Sequence, residues 1–342
     1  MEKTLNLLMG RQVSSPQLQA LGVALDSTEF KQRPAVIIKK GRLFCQRCGF
    51  QAPRTDYALP DKSYYCPACL AWGRLTTTMS LYSIPEANDF KKYSQDLLEK
   101  KPRLSLWQKK AAKELLQTVK RKQERLLWAV TGAGKTEMLF EALNFALLNQ
   151  QRVCLATPRV DVCNELYPRL CQVFPKVKSS LLYQNSGQEY TYTQLVVCTV
   201  HQLLRFYHAF DLLVIDEVDA FPYVNDHQLH YTVANAKKIN SSTLYLTATP
   251  DRYLKQQIHQ EKLAVTCLPL RYHRHLLPEI TLVKLYFPKQ KIEARIKRYL
   301  AKWIKNKIPF LVFVPPDRLT KANFGRVTAF LACDKGGMCF GS

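Results

Sequence analysis

The chain has 342 residues, enough for two or three domains, and its 50 lysines and arginines against 27 aspartates and glutamates give a formal charge of +23. Such a charge favours an anionic partner, either nucleic acid or an anionic membrane surface. No run approaches the roughly 18 consecutive apolar residues of a membrane span and no signal peptide is recognisable, so we expect a cytosolic protein whose eleven cysteines are metal ligands or buried thiols rather than disulfides.

An N-terminal segment, 1–38, precedes two pairs of cysteines, each with the spacing C-x2-C. The pairs are separated by 17 residues, which is typical of a four-cysteine zinc site, and four thiolates satisfy the tetrahedral preference of Zn²⁺. We therefore predict a zinc module over 39–75, with two disulfides or free thiols as the alternative. The predicted ligands are Cys45, Cys48, Cys66 and Cys69.

Basic and aromatic residues alternate through this module. Basic side chains attract a phosphate backbone and exposed rings can stack on unpaired bases, which suits single-stranded nucleic acid. Rings packed around a small zinc ribbon beneath a solvated basic face explain the same residues equally well. The basic residues are Lys39, Lys40, Arg42, Arg47, Arg54, Lys62 and Arg74, and the aromatic ones are Phe44, Phe50, Tyr57, Tyr64, Tyr65 and Trp72.

Residues 76–103 are mixed and polar, and we predict a linker with a short helix between Pro85 and Pro102. From 104 to 270 short β-rich runs alternate with helical stretches. This alternation predicts an α/β domain in which helices cover both faces of a doubly wound parallel sheet. We expect five further cysteines in this region to be small buried hydrophobic residues. They are Cys154, Cys163, Cys171, Cys198 and Cys267.

The stretch WAVTGAGKTEM, at 128–138, follows the phosphate-loop pattern G-x-x-x-x-G-K-[ST] except that Ala129 replaces the first glycine. Two later glycines still let the backbone curl around an anion, so we expect ATP to bind here. Lys135 would reach the β and γ phosphates and Thr136 would ligate Mg²⁺, whereas an ordinary glycine-rich turn is the alternative. The predicted loop residues are Thr131, Gly132, Ala133, Gly134, Lys135 and Thr136.

Two acidic residues, Asp216 and Glu217, follow the apolar run DLLVI. We predict that Asp216 holds Mg²⁺ and that Glu217 positions and deprotonates the attacking water, so that the site hydrolyses ATP. A solvated turn is the alternative for such a pair.

The series AVTGAGKT, TPR, CTVHQLL, DEVD and TAT resembles, in this order, the motifs of superfamily 2 helicases, in which alanine at the first loop position is normal. The resemblance implies a RecA-like motor domain over 104–270. It also implies that Gln108 reads adenine, that one group of residues tracks a nucleic-acid strand, and that a second group couples hydrolysis to strand movement. The strand-tracking residues are Thr157, Arg159, Thr199 and His201, and the coupling residues are Asp219, Thr247 and Thr249.

The four-cysteine module together with TPRVDVCNEL, HQLLRF and IDEVDAFPY is similar to the ComFA family of late-competence DNA-uptake ATPases of Gram-positive bacteria. This resemblance implies a cytoplasmic single-stranded-DNA translocase at the inner face of the membrane. It also implies partners in the uptake machinery, including a phosphoribosyltransferase-like competence protein and the membrane DNA channel. A replication-restart or repair helicase, or a nucleotide-gated DNA-binding and assembly protein without steady turnover, are the alternatives.

After the motor domain, we predict that 271–316 begins a second RecA-like domain, with an amphipathic helix followed by the strand PFLVFV. The apolar face of that helix would carry Ile292, Ile296, Leu300 and Trp303. Residues 317–342 have no useful helical or strand period and no arginine-rich motif of the type Q-x-x-G-R-x-G-R. We therefore expect 317–342 to be the tail of a truncated or frameshifted chain that binds ATP but turns it over poorly.

Overall fold

The computed structural model describes residues 6, 8–23, 30–184, 190–223, 226–271 and 298–307. The chain divides into two compact units, Met1–Leu276 and Leu277–Ser342. In the second unit a helix covers 298–305 and includes two residues of the predicted apolar helix face, Leu300 and Trp303. The other two residues of that face, the strand PFLVFV and the tail 317–342 lie outside the described residues.

The first unit is built on a seven-stranded sheet of order β13-β7-β12-β11-β8-β10-β9, in which every pairing is parallel. This confirms the predicted α/β parallel sheet. Strands buried on both faces read as nearly continuous apolar runs, which is why the sequence marks them clearly. The strands are β7 Glu124–Ala129, β8 Val153–Thr157, β9 Ser179–Leu182, β10 Leu195–Thr199, β11 Phe210–Ile215, β12 Lys237–Thr247 and β13 Ala264–Leu268.

Alternate residues of each central strand enter two separate cores. In β8, Val153 and Leu155 face one core, whereas Cys154 and Ala156 face the other. Helices α2, α3 and α4 cover the first face, and α5 with a 3₁₀ helix covers the second. The helices of this unit are α1 Ser15–Ala20, α2 Leu106–Lys120, α3 Lys135–Leu148, α4 Val160–Val173, α5 His227–Ala236 and α6 Arg252–His259, and the 3₁₀ helix is Val200–Arg205.

The predicted burial of the five isolated cysteines is correct for Cys154, Cys163 and Cys198. It is wrong for Cys267, which is exposed, and Cys171 is only half-buried. Cys267 lies in β13, which is at the edge of the sheet, so alternate residues of this strand face solvent.

Two small antiparallel sheets precede the parallel sheet. One has the order β1-β6-β2 and joins residues at both ends of the N-terminal region, and the other, β3-β4-β5, carries the four-cysteine segment. Their strands are β1 Val13–Ser14, β2 Lys31–Pro34, β3 Val36–Lys39, β4 Arg42–Cys45, β5 Gln51–Pro53 and β6 Ser80–Ser83. Among the described residues, no helix is both long and apolar enough to cross a membrane.

The short helix predicted between Pro85 and Pro102 is wrong, because this stretch is irregular throughout. The segment instead lies along the ATPase domain, which satisfies its polar groups. The amide of Leu97 donates to Asn144 Oδ1 at 3.1 Å, and the hydroxyl of Tyr93 donates to the carbonyl of Lys176 at 2.9 Å. With Leu97 buried in the first core, contacts with the domain replace the hydrogen bonds of a helix.

Arg152, just before β8, is a fully buried cation that ties three parts of the chain together. Its Nη1 donates to Glu86 Oε2 of the linker at 2.6 Å and to the carbonyl of Met9 at 3.1 Å. Its Nε donates to the carbonyl of Thr193 at 3.2 Å, and its Nη2 to the hydroxyl of Tyr190 at 2.6 Å. A buried charge is tolerated only when it is paired and hydrogen-bonded, so this network fixes the N-terminal segment and the linker on the sheet.

We predict that Glu86→Gln lowers the free energy of unfolding by about 3 kcal/mol, since removing one partner of a buried ion pair leaves the other charge uncompensated. Urea denaturation followed by circular dichroism measures the change. Glu99→Gln is the matched control because Glu99 is exposed in the same linker. Equal unfolding free energies for the two variants would show that the pair does not hold the linker.

Candidate nucleotide site and four-cysteine cluster

The carboxyl ends of three adjacent strands, β7, β12 and β11, meet at one edge of the parallel sheet. The loops that follow these strands, with the start of α2, surround a cavity of about 840 Å³. Nine of the residues predicted to bind nucleotide or to act in hydrolysis and coupling line it: Gln108, Thr131, Gly132, Gly134, Lys135, Thr136, Asp216, Glu217 and Asp219. The fold therefore brings together motifs that are far apart in the sequence.

The predicted phosphate loop forms a tight turn between β7 and α3. Gly132 and Gly134 have φ of +77° and +74°, in the left-handed region where a side chain is unfavourable. A Cβ on Gly134 would also lie 2.7 Å from Gln108 Nε2. Ala129 is the buried last residue of β7, before the turn, so the missing first glycine does not disturb it. Helix α3 begins at Lys135, and its positive N-terminal end points at the loop.

Gln108 connects α2 to the loop. Its Oε1 accepts from the amide of Ser105 at 2.8 Å, which completes a capping box at the start of α2. Its Nε2 donates to the carbonyl of Ala133 at 2.9 Å. The side chain is buried and held on both sides, so it positions the loop, and its predicted contact with adenine stays a prediction.

The acidic pair follows β11 directly. Burial raises the pKa of Asp216, and the nearby Lys135 ammonium and a hydrogen bond from the amide of Glu217, at 2.8 Å, act in the opposite direction. Glu217 has φ of +52°, a conformation that is uncommon for a residue with a side chain. Such strain is found at functional sites more often than elsewhere.

Glu217 makes a bidentate ion pair with Arg159, at the N-terminus of α4. The Nε of Arg159 donates to Oε2 at 2.8 Å and its Nη2 to Oε1 at 2.6 Å. The hydrogen bonds that Arg159 donates to Glu217 raise the pKa of Arg159. Sequence patterns assign these residues separate roles, in strand tracking and in hydrolysis, and nothing in their spacing indicates the contact.

Asp219 joins the loops after β11 and β12. It accepts from the hydroxyl of Thr247 at 2.5 Å and from the hydroxyl of Thr249, and the amide of Thr249 donates to Thr247 Oγ1 at 2.9 Å. The three residues predicted to couple hydrolysis to movement thus form one hydrogen-bonded cluster. Their coupling role stays a prediction.

The other predicted strand-tracking residues differ in exposure. Thr157 and Thr199 are paired across β8 and β10, and both side chains are buried. His201 is half-buried, and this burial lowers its pKa. In this conformation a nucleic-acid strand that passes along this edge of the sheet would contact His201 and Arg159 before it reached either threonine hydroxyl.

The four predicted zinc ligands form a buried cluster. All four Sγ atoms lie within 4.8 Å of one another, with 3.7 Å between Cys45 and Cys69 and 3.6 Å between Cys48 and Cys66. A tetrahedral ion with Zn–S bonds of about 2.3 Å places its ligands roughly 3.8 Å apart, whereas a disulfide has its sulfurs at about 2.05 Å. None of the four cysteines is in a disulfide, so the disulfide alternative is wrong and the cluster is compatible with Zn²⁺.

Arg47 belongs to this cluster and does not lie on a solvated basic face as the sequence suggests. It is 3% exposed, and its Nε donates to Cys69 Sγ at 3.3 Å. Its other nitrogens donate to the carbonyl of Trp72 at 3.2 Å and to that of Gly73 at 2.7 Å. A buried guanidinium beside thiolates offsets their negative charge, and hydrogen bonds with Cys45 and the other thiols, helped by Arg47, lower the pKa of Cys69.

The aromatic rings of the module are partly buried and pack on one another. Phe50 and Tyr57 meet edge to face with centroids 5.5 Å apart, and Tyr57 and Tyr65 do so at 5.9 Å. For Phe50, Tyr57 and Tyr65 the structure therefore favours packing around a zinc ribbon over a row of exposed stacking platforms.

The module is docked on α5. The Tyr231 hydroxyl and the Asn235 amide both donate to the carbonyl of Gln46 at 3.3 Å, and Tyr231 meets the ring of Phe44 edge to face at 5.8 Å. A Cβ on Gly49 would lie 2.5 Å from the Tyr231 ring, so this approach requires glycine.

The first prediction for this cluster is one Zn²⁺ per chain, lost in Cys45→Ala because a tetrahedral site needs its fourth thiolate. Arg47→Ala should weaken zinc binding by about tenfold, since removal of a group that hydrogen-bonds a ligand typically costs that much affinity. Competition with a chromogenic chelator measures both. Arg42→Ala, at an exposed position of the same module, is the control and should bind zinc like the parent. Full zinc retention in Cys45→Ala would contradict the predicted zinc site.

Comparisons with known proteins agree with this architecture. Residues 101–252 match the family described as "Type III restriction enzyme, res subunit". The chain is 40% identical over 285 residues to "Competence protein ComFA" of Streptococcus pneumoniae (strain ATCC BAA-255 / R6), covering 82% of this chain and 65% of that protein.

Two further relatives extend the comparison. The chain is 39% identical over 314 residues to "Competence protein ComFA" of Bacillus subtilis (strain 168), covering 89% of this chain and 66% of that protein. It is 23% identical over 223 residues to "Replication restart protein PriA" of Rickettsia prowazekii (strain Madrid E), covering 60% of this chain and 34% of that protein. The chain thus spans 65% and 66%, just under two thirds, of the two competence proteins.

Proposed function

We propose that the chain, which is 40% and 39% identical to two ComFA competence proteins, is an ATP-driven motor that moves single-stranded DNA during DNA uptake. The observation that carries the proposal is the single cavity that joins the phosphate loop, the acidic pair and the Asp219 cluster. A site that only bound nucleotide would need the first of these alone.

In this proposal the phosphate loop and the acidic pair hold Mg-ATP. The turn at Gly132 and Gly134 leaves backbone amides facing the phosphates, and Lys135 contacts the β and γ phosphates. Thr136 and Asp216 are the residues that would hold Mg²⁺. The ion would neutralise negative charge on the phosphoryl group that is transferred. Burial raises the pKa of Asp216 because it destabilises the charged carboxylate. A Mg²⁺ ion beside Asp216 would stabilise that charged form.

Glu217 is the proposed base that orients the attacking water and accepts its proton. Both of its oxygens accept from Arg159 in this conformation, and a carboxylate held by a guanidinium is a poor proton acceptor. The ion pair therefore opens before hydrolysis. Arg159 is also a proposed strand contact, so a DNA phosphate that draws Arg159 away would free Glu217.

The formal charge of +23 supports an anionic polymer as the partner, and the strand would pass Arg159 and His201 at the edge of the sheet. Similarity to the two ComFA proteins supports further proposals about place and partners. These are a cytoplasmic position at the inner face of the membrane and contacts with a phosphoribosyltransferase-like competence protein and the membrane DNA channel.

A second candidate function, a replication-restart helicase, has one observation in its favour. This is the similarity of 60% of the chain to a replication restart protein. Strand displacement on a forked duplex separates the two proposals, since a restart helicase opens the duplex and a single-strand translocase does not.

We predict that Lys135→Ala loses both ATP binding and hydrolysis, whereas Glu217→Gln keeps ATP binding and loses hydrolysis by at least about a hundredfold, because only proton transfer is removed. Binding of a fluorescent ATP analogue and phosphate release, both with single-stranded DNA present, measure the two effects. Glu165→Gln is the control, since Glu165 also lines the cavity but has no proposed role. Hydrolysis by Glu217→Gln at the parent rate would overturn the assignment of the base.

A further inference from the structure

A second cavity, of about 210 Å³, lies where the N-terminal segment, the four-cysteine module and the 3₁₀ helix Val200–Arg205 converge. Three arginines line it, Arg11, Arg47 and Arg205, with the ring of Trp72 beside them. Among the described residues that line it there is no aspartate or glutamate. The Arg47 guanidinium is directed at Cys69, so Arg11 and Arg205 are the cations that make this concavity positive.

Arg205 is the residue that this arrangement leaves uncompensated. Its guanidinium is half-buried and lies 5.6 Å from the centroid of the Trp72 ring. Burial lowers the pKa of Arg205, and within the described part of the chain its side chain makes no hydrogen bond or ion pair. A desolvated cation is costly unless an acceptor offsets it, and a bound anion would supply that acceptor.

The walls of the cavity are fixed by hydrogen bonds that do not use Arg205. Gln12 Nε2 donates to the carbonyls of Leu204, at 2.9 Å, and Phe206, at 3.1 Å, which holds the N-terminal segment against the 3₁₀ helix. Gln17 Nε2 donates to the carbonyl of Trp72 at 3.3 Å. A cavity whose walls are already fixed binds a ligand without first ordering itself.

We propose that this cavity binds a backbone phosphate of single-stranded DNA, with the half-buried Trp72 ring against the neighbouring base. The inference rests on the proposed function and adds a part of the strand path that lies on the four-cysteine module. The guanidinium fork of Arg205 matches a phosphate in shape and charge, and an aromatic ring beside it suits an unpaired base.

The position of the cavity along the chain supports this path. His201, a proposed strand contact, precedes Arg205 by four residues in the same 3₁₀ helix. A 3₁₀ helix rises about 2 Å per residue, so the two residues are roughly 8 Å apart along its axis. A strand held at His201 can therefore reach Arg205 and Trp72, and the zinc-held module becomes part of the binding surface.

The test is fluorescence anisotropy of a labelled oligothymidylate, about 12 nucleotides long, titrated with the full chain at several salt concentrations. Arg205→Gln should bind about tenfold more weakly and lower the slope of log affinity against log salt by about 0.7, because one phosphate contact is lost. The DNA affinity of Arg205→Lys should lie between those of Arg205→Gln and the parent, since lysine keeps the positive charge but lacks the forked guanidinium. Arg121→Gln, with the same change at an exposed position of α2's end, should match the parent.

Two further measurements distinguish a failure of this proposal from a failure of the proposed function. Binding of a fluorescent ATP analogue should be the same in Arg205→Gln and the parent, because the two cavities share no lining residue. Inorganic phosphate should compete with the oligonucleotide only weakly; phosphate binding that needs Arg205, with DNA binding that does not, would overturn the proposal. Parent-like DNA affinity and salt slope in Arg205→Gln would overturn it while leaving the proposed function intact. A parent chain that bound no oligothymidylate would overturn both.

Discussion

The constraint on which the site depends is that every strand of the large sheet is parallel. Parallel strands end at one edge, so the loops after β7, β11 and β12 meet there although more than a hundred residues separate the first motif from the last. Hydrogen bonds lock these loops to one another. Trp128 Nε1 donates to the carbonyl of Ala248 at 3.1 Å, and the amide of Val218 donates to the carbonyl of Leu246 at 3.2 Å. A shift at the phosphate loop is therefore felt at the acidic pair and at the Asp219 cluster.

The same unit holds its small sheets and linker in place through a few buried polar contacts. Arg152 draws Glu86 and the carbonyl of Met9 into the side of the sheet, and the four-cysteine module docks on α5 through Gln46 and Gly49. Removing one partner of any of these contacts is costly, because the other group stays buried without a partner. The module is thus held against the ATPase domain by specific contacts as well as by the chain.

The sequence predicts the phosphate loop, the acidic pair and the cysteine ligands because each is a short pattern tied to one strand end or one metal, whereas only the helicase resemblance singles out Asp219, Thr247 and Thr249. It does not predict Arg159 with Glu217, Arg152 with Glu86, or the burial of Arg47. These depend on residues brought together from distant parts of the chain, and a lone basic residue looks the same whether it lies at the surface or in a core. The short helix predicted within the linker is wrong for a related reason, since the hydrogen-bond partners of this stretch belong to α3 and to the loop after α4.

We propose that ATP turnover in this cavity is coupled to a single strand of DNA. The most direct measurement is steady-state phosphate release by the purified chain with Mg-ATP, with and without oligothymidylate, and with Lys135→Ala as the blank. If the strand releases Glu217 from Arg159, turnover should rise severalfold above a low basal rate on adding DNA and return to that rate at high salt, where phosphate contacts are lost. Turnover that is the same with and without DNA, in a chain that binds both ATP and DNA, would contradict this coupling.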